Sequence, residues 1–101
     1  MCIYKLCTLP HVWTWHDAKS EWIYQDRGID FAYALRIFVG RYRVRRSDRN
    51  GERRYLAVGM IDGKHYTIVY TKRVEDGELV RRVISARRAW DNEQKAFDAS
   101  R

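Results

Sequence analysis

Residues 41–73, RYRVRRSDRNGERRYLAVGMIDGKHYTIVYTKR, decide the fold. Arg41, Arg43 and Arg45 alternate with Tyr42 and Val44, the period-two pattern of a half-buried strand. Residues 48–51 supply turn chemistry, and Leu56, Val58 and Met60 then mark the inward face of a second strand. Asp62-Gly63 is a dipeptide favoured in two-residue hairpin turns. The strand after it carries Tyr66, Ile68 and Tyr70 on one face, with His65, Thr67, Thr71 and Arg73 on the other. Three successive antiparallel strands are therefore expected here.

Toward the C-terminus, residues 75–78 form a polar loop around Gly77, and residues 79–86 read as a fourth strand. A final helix is expected to present Ala89, Trp90, Ala96 and Phe97 along one side. Toward the N-terminus, Phe31, Ala34, Leu35 and Phe38 recur at helical spacing, with Asp30 as N-cap and Gly40 as the stop. An earlier helix starts at Asp17, places Ala18 and Trp22 on one face with Lys19 and Glu21 outward, and ends at Gly28. Residues 11–15 read as a short first strand. Residues 1–10 have no clear period and read as an extension ahead of a single domain over 11–101. The order is strand, two helices, a meander of about four antiparallel strands and a C-terminal helix, which is the α+β class.

With 46% hydrophobic and 14% aromatic residues the chain can bury one core, so disorder is excluded. Trp13, Trp15, Trp22, Trp90, Phe31 and Phe38 are its aromatic candidates. Twenty Lys and Arg against 13 Asp and Glu leave a net charge of +7, the electrostatic footprint of a nucleic-acid binder. Arginine dominates, and its planar fork suits phosphate better than lysine does. Cys2 and Cys7 lack the spacing and the further ligands of a zinc site, so no metal is expected. They read as free thiols of a reducing cytosol, with a disulfide as the alternative. No apolar run has the length of a signal-peptide core or a membrane span, so a cytoplasmic protein with no membrane association is expected. No phosphate-cradling glycine loop or Ser-His-Asp ordering points to a cofactor or a serine nucleophile.

Several segments together resemble the BrnT family of ribonuclease toxins. Trp15-His16-Asp17-Ala18-Lys19 is similar to the family's opening W-D-x-x-K pattern. Gly28-Ile29-Asp30-Phe31 with Ala34 and Phe38 resembles its G-[IV]-x-F-x-x-A-x-x-x-F stretch. Gly51-Glu52-Arg53 closes a similar acidic turn, and Gly59, Gly63 and Lys64 fit its glycine hairpin. Tyr70-Thr71-Lys72-Arg73 resembles Y-T-x-R, and residues 82–93 resemble R-[IV]-I-S-A-R-x-A-x-x-x-E. The resemblance covers about residues 13–97. It departs at Asp26-Arg27-Gly28, where the family usually carries Lys-His-Gly, and at Ile23, where Asn is common. Arginine cannot shuttle protons as histidine does, so activity is expected to be reduced or altered.

The resemblance implies a sheet-and-helix fold like that of RelE-type toxins and metal-independent RNA cleavage by the ribose 2′-OH. It also implies neutralisation by a BrnA-like ribbon-helix-helix antitoxin, in a 2:2 complex that binds operator DNA. Alternatively, the chain is an inactive homologue kept as an antitoxin-binding co-repressor. The expected phosphate clamp is Arg73, Arg82 and Arg87, with Arg27 as a further source of positive charge. Against that stands a structural role in which Arg82 or Arg87 pairs with Glu52 or Glu93. Proton-transfer candidates are His65, Glu52, Glu93 and His16, with His65 about eight residues from Arg73 and read as a surface residue. Arg41, Arg43, Arg45, Arg46, Arg49, Arg53 and Arg54, with Tyr42 and Tyr55 interleaved, form a second basic block along a hairpin, suited to phosphates and stacked bases. The same block equally fits a solvated charged face, a protected edge strand or a dock for an acidic partner. Arg43, Arg45, Arg53, Lys72, Tyr42 and Tyr55 are the expected RNA-binding residues.

Overall fold

The computed structural model describes residues 2–5, 12–15, 23, 25, 28, 29 and 31–100. His16, Asp17, Ala18, Lys19, Trp22, Asp26, Arg27 and Asp30 lie outside the described residues, as does Cys7. The chain is α+β. Its strands are β1 (Cys2–Lys5), β2 (Val12–Trp15), β3 (Tyr42–Arg46), β4 (Tyr55–Ile61), β5 (Lys64–Glu75) and β6 (Glu78–Arg88). They form one sheet in the order β1-β2-β6-β5-β4-β3. The expected meander is β3 to β6, antiparallel throughout. The expected first strand is β2, which joins parallel to β6. Residues 2–5 depart from the expected structureless extension, because they pair antiparallel with β2 and add an edge strand.

The three hairpins share one device. Asn50-Gly51, Asp62-Gly63 and Asp76-Gly77 each hold two successive residues at positive φ, which a type I′ turn requires and which matches the twist of the strands. The loop expected around Gly77 is therefore a tight hairpin, with Glu75 paired to Glu78.

Ile23 and Gln25 are helical, and Gly28 has the left-handed φ of 73° expected where a helix stops. The next helix, α1 (Phe31–Ala34), tightens at once into a 3-10 segment, Leu35–Val39, where a longer α-helix was expected. In a 3-10 helix, residues three apart eclipse. Ala34 and Ile37 are spaced in this way, and with Phe31, Leu35 and Phe38 they are buried. The segment lies so close to β4 that a Cβ at Gly59 would come within 2.7 Å of Ile37 Cβ.

The main core lies between this segment and one face of the sheet. Trp13 packs there against Phe38, at 4.6 Å between ring centroids, and against Tyr70 at 5.2 Å. Tyr66, Ile68 and Tyr70 face it as expected. On β4 the expected inward face is reversed: Ala57 and Ile61 join the main core, whereas Leu56 and Val58 are buried on the other face and Met60 is exposed. β3 is an exposed edge strand rather than half-buried. The C-terminal helix α2 (Asp91–Ala99) packs across the opposite face of β4, where Phe97, Val58 and Ala89 form a second small core. Trp90 is not part of either core, and on α2 only Glu93 and Phe97 are buried. Among the described residues no helix is long and apolar enough to cross a membrane.

Candidate functional site

The sheet face on the α2 side is ordered in rows set by the strand register. Arg43, Val58, Thr67 and Arg87 form one row across β3 to β6. Arg45, Leu56, Val69 and Ser85 form the next. Thr71 opposite Arg82 begins a third, which Arg54 extends from the start of β4. Strict alternation would put Arg82 and Arg87 on opposite faces of β6, being five residues apart. A β-bulge prevents this: Val69 pairs with Ser85 and Tyr70 with Val83, so Ile84 is the extra residue. Val83 and Ala86 can then both face the core, with Arg82 and Arg87 both on the opposite face.

One end of this face is closed by α2. Glu93 is 6% exposed and accepts two bonds from Arg87, at 2.6 and 2.9 Å, one from Thr67 Oγ1 at 3.1 Å and one from the Trp90 backbone N–H at 2.8 Å. Burial alone would raise the Glu93 carboxyl, but the hydrogen bonds from Arg87, Trp90 and Thr67 outweigh it and hold the group below the usual carboxylate range. Glu93 is therefore an ionised anchor. Arg41 donates to the carbonyls of Phe97 and Ser100, and Arg43 to that of Ala96, which satisfies acceptors left open at the end of α2. His65 Nε2 lies 2.9 Å from Asp98 Oδ1, and its ring packs edge-on against Phe97.

The other end is open. Arg54, Arg73, Arg82, Thr71 and Glu52 line a cavity of about 280 Å³. Arg73 and Arg82 are diagonal neighbours across β5 and β6, a separation of roughly 7–8 Å between backbones. Among the described residues neither has an ion-pair or hydrogen-bond partner. The Thr71 hydroxyl, on a residue 7% exposed, is also without a hydrogen-bond partner there. Leaving a buried hydroxyl unpaired costs roughly 1–3 kcal/mol, so a polar group entering the cavity would gain by pairing with it. Glu52 accepts a bond from Arg54 Nε at 3.0 Å and remains half exposed. A second cavity of about 360 Å³ continues along the face, sharing Arg54 and Ile84 with the first and ending at Arg87 and Trp90.

Of the expected clamp, the structure brings Arg73 and Arg82 together. Arg87 lies on the same face, but Thr67, its partner in register, is six residues from Arg73, roughly 20 Å along β5. Arg45 lines the second cavity, and Arg53 is exposed in the turn before β4. Tyr42, Tyr55 and Lys72 point to the opposite face from Arg43 and Arg45: Tyr42 packs on Phe38, and Lys72 lies 4.4 Å over the Tyr55 ring. Sequence reasoning placed Arg54 only in the basic block of the hairpin and missed Thr71; the pairing of Tyr55 with Tyr70, read one residue further, would have set the two opposite each other. Among the described residues no three His, Cys, Asp or Glu side chains gather as a metal site would need.

An open row of arginines with a buried free hydroxyl and a carboxylate can hold a phosphodiester, neutralise its oxygens and accept a proton. Comparison with curated protein sequences gives no match. The family model described as a ribonuclease toxin, BrnT, of type II toxin-antitoxin systems matches residues 15–93, most of the chain, and the chain belongs to that family.

Proposed function

We propose that this chain is a metal-independent endoribonuclease whose reaction takes place in the open row of Arg54, Thr71, Arg73 and Arg82. The carrying observation is the convergence, in one cavity, of two guanidiniums and a buried hydroxyl that have no partner among the described residues. The ribose 2′-oxygen attacks its own phosphorus, the 2′-O–P bond forms and the P–O5′ bond breaks, giving a cyclic phosphate end. Arg73 and Arg82 neutralise the non-bridging oxygens, and the Thr71 hydroxyl donates to one of them. Glu52, oriented by Arg54, accepts the 2′-OH proton, and solvent supplies a proton to the departing 5′-oxygen. Arg87 and Glu93 act by holding α2 and the end of β6 in place.

Membership of a type II toxin family supports an antitoxin partner. In this reading the partner is a BrnA-like ribbon-helix-helix protein, the complex is 2:2 and binds operator DNA, and the free toxin stops translation in the cytoplasm by cutting RNA. The helices flanking an antiparallel meander support a RelE-like architecture. A second reading, an antitoxin-binding module without nuclease activity, is favoured by Arg27 standing where the family resemblance leads one to expect histidine.

Inducible expression in bacteria separates the two. Growth arrest with fragmented RNA, relieved by Arg73→Ala and by Arg82→Ala and undiminished by chelator with purified protein, is the expected result. Harmless expression of the folded wild-type chain would select the second reading.

A further inference from the structure

Among the described residues, Trp90 is the largest exposed side chain. It is 60% exposed, immediately before α2, and yet it is held firmly. The Arg87 guanidinium carbon lies 3.7 Å from its ring centroid, and Arg87 is itself clamped by two bonds to Glu93. The same carboxylate fixes the Trp90 backbone N–H. An aromatic ring preorganised in this way loses little freedom on binding. It stands at one end of the second cavity, whose lining combines the apolar Leu56, Val69 and Ile84 with the cationic Arg45 and Arg49.

An aromatic wall beside apolar and cationic lining suits a nucleobase whose face is accessible, with its phosphates on the arginines. A duplex hides those faces in its stack. We propose that Trp90 is a stacking platform for an unpaired base, a few nucleotides from the phosphate held by Arg73 and Arg82, so that the groove takes single-stranded RNA. The rows of Arg82 and Arg87 are four β5 residues apart, roughly 13 Å, a length that a short strand spans. This inference rests on the reading of the groove as an RNA site.

The test uses a labelled 2′-O-methyl RNA octamer, which lacks the attacking hydroxyl and stays intact, and an abasic phosphodiester of the same length. Dissociation constants are measured by anisotropy for wild type, Trp90→Ala, Trp90→Phe and Arg82→Ala. Trp90→Ala should weaken octamer binding roughly tenfold and leave abasic binding unchanged, while Trp90→Phe stays within about twofold of wild type. If circular dichroism shows that the alanine variant is unfolded, Trp90→Leu takes its place in the same comparison. Wild-type affinity in Trp90→Ala, alongside weakened binding by Arg82→Ala, would overturn the base subsite and leave the phosphate groove standing. Failure of the wild type to bind either strand would overturn both.

Discussion

The two ends of one sheet face use the same residue type for opposite purposes. At the closed end Arg87 is mostly buried, bidentate to Glu93 and stacked on Trp90, so its charge is already answered. At the open end Arg73 and Arg82 have no partner among the described residues, and a buried hydroxyl beside them is unpaired. An arginine's motif does not distinguish these cases; its nearest carboxylate does. Stability therefore concentrates under α2 and binding capacity concentrates beyond it, and substitutions at the two ends should move different observables.

The largest effect is expected at the closed end. Glu93→Ala removes one partner of a buried pair and strands the Arg87 guanidinium, at a cost of about 3–5 kcal/mol. For a domain of this size that lowers the melting temperature by roughly 15–25 °C, readable by thermal denaturation. A fall of only a few degrees would show that the network is not what holds α2. Next in size, Arg82→Ala or Arg73→Ala should slow RNA cleavage roughly a hundredfold, as loss of one preorganised donor does, with the melting temperature nearly unchanged. A large loss of stability without loss of rate would reverse the roles assigned to the two ends.

Thr71→Val sharpens the contrast within a single residue. The shape is kept while an unsatisfied buried hydroxyl is deleted, so stability should rise by about 1 kcal/mol. If that hydroxyl serves the phosphate, cleavage should fall about tenfold in the same variant. Equal activity with higher stability would remove Thr71 from the site and leave the arginines.

How legible these two ends were follows from the same geometry. Period-two alternation and Asp62-Gly63 disclosed the meander, and Asn50-Gly51 and Asp76-Gly77 carry the same turn signal. The bulge at Ile84 was invisible because nothing in Val83-Ile84-Ser85 distinguishes an extra residue from a regular one, and it alone puts Arg82 and Arg87 on one face. Trp90 was misplaced because helical spacing was extended two residues too far; Ala89 and Trp90 both precede α2, and of the two only Ala89 is buried. Arg41 and Arg43 read as a nucleic-acid block, yet they donate to carbonyls at the end of a helix more than fifty residues away. Long-range partners of this kind leave no local trace. Cys2–Lys5 is too short to show a period, and its strand exists by pairing with β2.

The smallest effect is a change with pH, absent near neutrality, and it tests whether Glu93 is an ionised anchor. Its folded-state pKa lies below the ordinary value, so the unfolded chain takes up the proton more readily than the folded one. The stability from ionised Glu93 is then complete above the unfolded value, about pH 4.3, and is lost as pH falls through the lower folded value. Glu93→Gln carries no such charge. The gap in melting temperature between wild type and Glu93→Gln should hold steady from pH 8 to about pH 5, then narrow as acid protonates the wild-type carboxyl. A gap that widened on acidification would mean that the folded protein favours the neutral acid. Glu93 would then be available for proton transfer, and the division of labour between the two ends would have to be redrawn.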